Sequence, residues 1–177
     1  MRELYGGISH VESLSISHHF IEALDVPMSL PNLKALELTI DAFILDSIIE
    51  FLRCLSNLKS LHLIIQQRFI ISSKYGELED DETRRILTRH LKRVEFLEFN
   101  GENIKLDIAE FLLAHGDALE EMVFSWSNEA KYNKMSMETM KQVSKFHKAS
   151  SSVKLITVLK NDDRSFSDDY ISMLGRN

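Results

Sequence analysis

The 177-residue chain has a single cysteine, Cys54, so it forms no disulfide within itself and cannot build a cysteine-based zinc site. It has no apolar run approaching the eighteen or so residues that span a bilayer. The first residues, MRELYGGISHVESL, lack the apolar stretch behind a basic patch that marks a secretory signal. No Asn-x-Ser/Thr acceptor for glycosylation occurs. Excess positive charge is missing too: 21 Lys+Arg against 27 Asp+Glu give −6, which disfavours a broad nucleic-acid surface. An intracellular protein, cytoplasmic or nuclear, is the expected class.

The motifs of chemistry are equally scarce. There is no G-x-S-x-G, no G-x-x-x-x-G-K-[ST] and no G-x-G-x-x-G, so no catalytic or cofactor-binding residue is assigned. His18 and His19 are adjacent and diverge in either a strand or a helix; with no H-E-x-x-H or EF-hand pattern, no metal site is assigned. His147 reads as a partly buried helix residue, and His90 and His115 as loop or cap residues. Cys54 lies in an apolar helical run, which suits an inert buried thiol. The run RRILTRHLKR (84–93) is basic, but it follows ELEDDE (77–82) and carries no interleaved aromatics for base stacking. A binding protein without enzymatic activity is expected.

What the chain does have is 44% hydrophobic and 27% charged residues, enough for one globular domain with a real core. It also has a recurring triplet: apolar, two residues, apolar, one residue, apolar. The copies are Val11/Leu14/Ile16, Leu33/Leu36/Leu38, Leu58/Leu61/Leu63, Val94/Leu97/Phe99, Leu119/Met122/Phe124 and Val153/Ile156/Val158. Three of the five intervals between starts (22, 25, 36, 25 and 34) fall in the 20–29 residue period of leucine-rich repeats. The two long intervals contain KYGELEDDETRR (74–85) and SNEAKYNK (127–134), read as surface excursions.

In a strand, the last two apolar positions point to one side, and stacking of units buries them. Between strands the period turns helical. Ile44, Ile48, Phe51, Leu52 and Leu55 share a helix face behind Asp41 as N-cap; Asp107 and Glu110 suggest a capping box for a helix stopped by Gly116. A further helix is expected from Ser136, with Met140, Val143, Phe146 and His147 on one side. The expected fold is α/β, an irregular leucine-rich-repeat-like solenoid of parallel strands alternating with helices. It is irregular because the Asn or Cys due three residues after each triplet is His19, Asp41, Gln66, Glu102 and Ser127, with Asn161 only in the last copy.

The stretch LTRHLKRVEFLEFNGENIKLDIAEFLLAHGDALEEMVFSW, followed by MKQVSKFHKASSSVKLITV, resembles the FBD domain of plant F-box/LRR proteins. The likeness lies in the HLKRVEF strand, the turn at Gly101, the helix IAEFLLAHGDALEEMV, and KASSSVKLI leading into the last strand. Upstream, LPNLKALELTI and FLRCLSNLKSLHLII resemble the leucine-rich repeats that precede that domain. The resemblance implies leucine-rich-repeat-like units over 1–75 and an FBD-like region at 88–160, and composition marks a charged insertion at 76–87 between them and a polar tail at 161–177. It also implies the substrate-recognition region of a cullin-type ubiquitin ligase subunit, whose partner is a protein. Nothing before Val11 resembles an F-box, so docking to the ligase adaptor is not expected of this chain alone. The competing reading is a truncated or vestigial structural fragment with no independent activity.

If the strands line one sheet, the residues between the inward ones face the partner. Those are Ser13 and Ser15, Glu37 and Thr39, His62 and Ile64, Glu98 and Asn100, Val123 and Ser125, then Leu155 and Thr157, with Phe96 beside Glu98. The mixed row Glu37, His62, Glu98, Val123 suits a protein better than a phosphate. Two acids around His62 suggest a raised proton affinity. Trp126, the lone tryptophan, is read either as a partner anchor or as a lid on the end of the core.

Overall fold

The computed structural model describes residues 10–22, 30–42, 51–52, 54–69 and 89–160. Six strands carry the fold: β1 (Ser13–Ser17), β2 (Ala35–Ala42), β3 (Ser60–Phe69), β4 (Arg93–Phe99), β5 (Glu121–Trp126) and β6 (Lys154–Leu159). They form one sheet in sequence order, β1-β2-β3-β4-β5-β6, with every neighbouring pair parallel. Three helices are described: α1 (His18–Glu22), α2 (Asn103–His115) and α3 (Glu129–Ser144). The fold is therefore α/β.

The sheet register shows why the triplet recurs. Leu14, Leu36, Leu61, Val94, Met122 and Leu155 form one row across the strands, and Ile16, Leu38, Leu63, Phe96, Phe124 and Thr157 the row two residues on. From β2 to β5 these two rows are almost fully buried, and they join Leu106, Ile108, Ala109, Leu112 and Leu113 of α2 in one core. The first triplet position lies at the start of each strand, where Leu33, Leu58, Leu91 and Leu119 are also buried. Here the backbone repeats a ladder. The Glu12 carbonyl accepts from Lys34 N and Ala35 N (2.7 and 3.0 Å), Lys34 O from Lys59 N and Ser60 N, Lys59 O from Lys92 N and Arg93 N, and Lys92 O from Glu120 N and Glu121 N. Each strand is thus held at its first turn by the carbonyl of the strand before it, which satisfies donors that would otherwise be orphaned.

In β4 the observed copy is Leu91, Val94, Phe96, not Val94, Leu97, Phe99. The register matches Leu61 to Val94 and Leu63 to Phe96, then slips between Phe96 and Phe99, where β4 has one residue more than β5. The slip is a bulge at Glu98, whose φ of 49° is the left-handed conformation. Phe99 returns to the core while Leu97 stays half-exposed on the other face. The buried Lys105 of α2 donates to the Glu98 carbonyl at 2.9 Å, satisfying an acceptor that the bulge removes from the ladder. Burial lowers the Lys105 pKa, partly offset by Glu102 and Glu98. Because a side chain in the left-handed region costs about 1–2 kcal/mol, Glu98→Gly is expected to stabilise by some tenths of a kcal/mol up to about 1 in urea unfolding. Destabilisation would show that the bulge depends on the glutamate itself.

In β6, Leu155 and Thr157 take the core-side positions and Ile156 and Val158 the opposite side, so the expected triplet is out of step by one residue. Asp41 lies within β2 and is no N-cap. Ile44 and Ile48 lie outside the described residues, as do 76–87 and 161–177; Phe51 and Leu55, their expected face-mates, are buried.

α2 begins four residues before the expected capping box. Its N-cap is Glu102, without a side-chain cap bond, and Asp107 is an exposed residue inside the helix. It does stop at Gly116, though with φ −87° rather than in the left-handed region. A Cβ there would lie 2.6 Å from the Leu112 carbonyl oxygen, so close packing selects the glycine. Gly101, by contrast, has φ +78°, and a Cβ would meet Met135 Cε at 3.1 Å. Gly101→Ala is expected to lose about 1–2 kcal/mol in urea unfolding through backbone strain plus that contact. A neutral result would mean that Met135 and the turn both yield freely.

α3 begins at Glu129, not Ser136, because Asn128 caps it by accepting from Lys131 N at 2.9 Å. Most of the expected SNEAKYNK excursion is therefore helix. His147 lies past its end and is exposed. Trp126 is fully buried, edge-on to Phe99 and Tyr132, and donates through Nε1 to Thr157 Oγ1 at 3.1 Å. Its role is core packing.

Candidate partner-binding face

The face of the sheet opposite the core rows is assembled by the same register. One row runs Ser13, Ala35, Ser60, Arg93, Glu121, Lys154; the next runs Ser15, Glu37, His62, Glu95, Val123, Ile156. A third holds Ser17, Thr39, Ile64 and Leu97, and, beyond the bulge, Ser125 with Val158. Alternation along a strand forces this partition: once Leu61 and Leu63 are in the core, His62 and Ile64 are not.

Glu37, Thr39, His62, Ile64, Val123 and Ser125 thus lie together on this face, as the sequence predicts. Phe96, Glu98 and Asn100 do not. Phe96 is fully buried among core aromatics, and Glu98 is exposed at the bulge. Asn100 lies past the end of β4, where its Oδ1 accepts from Glu102 N at 3.3 Å in a local turn. Leu155 and Thr157 belong to the core side. The positions that sequence reasoning missed are Arg93, Glu95, Leu97, Ile156, Val158 and Lys160. HLKRVEF holds the signal for four strands' common frame, because Leu91, Val94 and Phe96 satisfy the same triplet three residues earlier than the copy chosen.

Glu95 is the centre of the face. Its side chain is only 3% exposed, yet it gathers three donors: Ser125 Oγ at 2.6 Å, Arg93 Nη2 at 3.2 Å and Lys160 Nζ on the Ser125-bonded oxygen. Arg93 also bonds Glu121. Burial by itself would raise the Glu95 pKa, but the hydrogen bonds from Lys160 and Ser125, with the Lys160 charge and Arg93, hold it below its ordinary value. The carboxylate is therefore kept ionised in a desolvated position.

Beside it, His62 shares a hydrogen bond of 2.9 Å with Ser60 Oγ. Its pKa is lowered, against the expectation from its acidic neighbours. Burial outweighs the pull of Glu95 and Glu37, and Arg93 and Lys160 oppose that pull as well. On the far side Ser15 donates to Glu37 Oε1 at 2.8 Å. Among the described residues no group of three or more His, Cys, Asp or Glu could hold a metal ion, and no helix is long and apolar enough to cross a membrane.

Residues 85–124, which hold β4, α2 and the first four residues of β5, match the FBD family. Over those residues the chain is similar to an FBD domain. A curated FBD-associated F-box protein of Arabidopsis thaliana is 28% identical over 129 residues, 70% of this chain and 27% of that relative. The chain thus spans about a quarter of the relative's length. No solved structure matches it. The FBD segment contains Arg93 and Glu95, the aromatic core residues Phe96, Phe99 and Phe124, and the bulge with its Lys105 partner.

Proposed function

We propose that the chain is a protein-interaction module, the substrate-recognition region of an F-box-type subunit of a cullin ubiquitin ligase. In this reading the sheet is a leucine-rich-repeat-like solenoid, with units over 1–75, a charged insertion at 76–87 and an FBD unit over 88–160. Support comes from the strictly sequential parallel order and from the ladder repeated at the start of each strand. The work of the module is binding, not catalysis, and the partner is a protein.

The observation that carries the proposal is the built face around Glu95. A buried, ionised carboxylate is fixed by Arg93, Lys160 and Ser125, and it is bordered by Ile64, Leu97, Ile156 and Val158, all half-exposed. Aliphatic side chains around a rigid polar centre are the make-up of a protein-binding patch rather than a phosphate site. Glu37, Thr39 and His62 extend it across β2 and β3.

The test compares wild type with the double variant Ile64→Arg/Leu97→Arg, each with and without an F-box fused at the N-terminus, in affinity capture from plant extract. Partners seen with wild type should be lost from the variant while its melting temperature holds, and ligase subunits should follow only the fused forms. Equal recovery by wild type and variant would reject the face; absence of ligase subunits from every fused form would reject the ligase role.

A further inference from the structure

Among the described residues β6 is paired on one side only, with β5. Lys154 N bonds to Glu120 O and Lys160 N to Trp126 O, both toward β5. Because amides alternate along an extended strand and the β5 register is unbroken, those of Leu155, Thr157 and Leu159 point outward. Beside this edge, on the core side, an open groove of about 500 Å³ is lined by Ser136, Met137, Met140, Lys141, Ser144 and Thr157. Met137 is 72% exposed, the large hydrophobic residue that stands out on the described surface.

The charge around this edge is opposite to that of the chain. The protein carries −6 overall, yet residues 129–160 hold seven lysines against two glutamates, a surplus of five positive charges. Lys131, Lys134, Lys141, Lys145, Lys154 and Lys160 are exposed. Lysines on an edge strand are a common guard against self-pairing, since a second copy would bring like charges together. They do not repel an acidic strand.

We propose that β6 is a docking edge for an extended acidic segment of a partner protein, which adds a seventh strand. Its backbone pairs with the amides of Leu155, Thr157 and Leu159. Alternate side chains, small and aliphatic, fill the groove at Met137 and Met140, where thioether chains adapt to varied shapes. The intervening carboxylates point to the opposite face of the strand, where they meet Lys154, while Lys141 at the groove wall adds to the attraction for an acidic segment. This surface is separate from the Glu95 face, so either can fail without the other. An apolar groove beside open backbone favours a peptide over nucleic acid, and Trp126, an obvious stacking platform, is buried.

The probe is a fluorescent eight-residue peptide alternating glutamate and valine, titrated against the full chain by anisotropy. Binding should weaken roughly tenfold when alternate peptide nitrogens are methylated, because the side chains stay and the backbone pairing goes. Met137→Asp and Lys141→Glu, both at exposed sites, should weaken it several-fold. Hydrogen exchange supplies the second reading: the amides of Leu155, Thr157 and Leu159 should exchange fast in the free chain and slow with peptide. Unchanged affinity on methylation, or displacement of the peptide by an equal concentration of oligothymidylate, would overturn the proposal. So would outward amides already protected in the free chain. Protection independent of concentration would assign the edge to the chain's own residues 161–177, and protection rising with concentration to a second copy.

Discussion

Phe96→Ala should unfold the protein about 3–5 kcal/mol more easily in urea, whereas Leu97→Ala, one residue on, should lose less than about 1 kcal/mol. Phe96 is fully buried and stacks on Phe124 with ring centroids 5.4 Å apart and planes within 5°. Phe99 meets Phe124 edge-on at 4.8 Å and Trp126 at 5.0 Å, so four rings from β4 and β5 form one continuous cluster. Truncating Phe96 opens a cavity in the middle of it, and neighbouring rings held by their own strands cannot collapse to fill the space. Leu97 faces away from this cluster and is only half-buried at the sheet surface, so its truncation opens no enclosed cavity. A register with Val94, Leu97 and Phe99 inward predicts the reverse order of effects. Two variants therefore decide between the frames, and a larger loss for Leu97→Ala would refute the observed one.

That contrast locates the limit of what the sequence could tell. The parallel α/β architecture was legible, because Leu33/Leu36/Leu38, Leu58/Leu61/Leu63 and Leu119/Met122/Phe124 carry the alternation without ambiguity. The face residues Glu37, Thr39, His62, Ile64, Val123 and Ser125 follow from it by simple parity. β4 was misread because LKRVEFLEF offers two overlapping triplets, and only the bulge at Glu98 lets both Phe96 and Phe99 reach the core. A left-handed glutamate has no local signature. It is stabilised from a distance, by Lys105 on the carbonyl. β6 failed for a different reason: KLITVL is apolar at both parities, so pattern cannot choose a side, and pairing with β5 does. The start of α3 was displaced because Asn128 caps it ahead of Ser136, whereas α2 starts after Glu102 with no side-chain cap bond to mark the place.

The Glu95 cluster was beyond reach for a related reason. Its partners Arg93, Ser125 and Lys160 come from three segments spread over 68 positions, 93 to 160, and converge only when β4, β5 and β6 are in register. An acid in a strand of mixed residues reads as solvated until its neighbours are known. Once they are, the same residue is the most constrained polar group of the face. The correction to His62 has the same origin. Of the acids expected beside it, Glu37 and Glu98, only Glu37 acts on it, with Glu95 taking the other place, and the desolvation that outweighs them arises from packing between strands.

Glu95→Ala is accordingly expected to lose about 2 kcal/mol, read from urea unfolding at neutral pH, because the buried Ser125 hydroxyl is left without its acceptor and two charge-assisted bonds go with it. Arg93 keeps Glu121, and Lys160 is exposed enough to be hydrated, so the loss stays below that of an orphaned buried charge. The effect depends on pH, with a definite sign. The folded Glu95 carboxyl lies below its ordinary value of 4.5, so the folded state holds fewer protons than the unfolded chain. Its contribution is complete above 4.5 and disappears as pH falls through the lower folded value. His62 adds a second, higher step. Its folded pKa lies below 6.5, so the fold favours the neutral ring and stability declines as pH drops beneath 6.5. Wild-type stability should then fall in two stages toward acid. His62→Gln should remove the upper stage and leave the lower; Glu95→Gln should flatten the lower and, by taking away the nearest charge that favours imidazolium, deepen the upper. If Glu95→Gln leaves the acid limb below 4.5 unchanged, the carboxylate is not held ionised by Lys160, Ser125 and Arg93, and the polar centre of the face is not built as described.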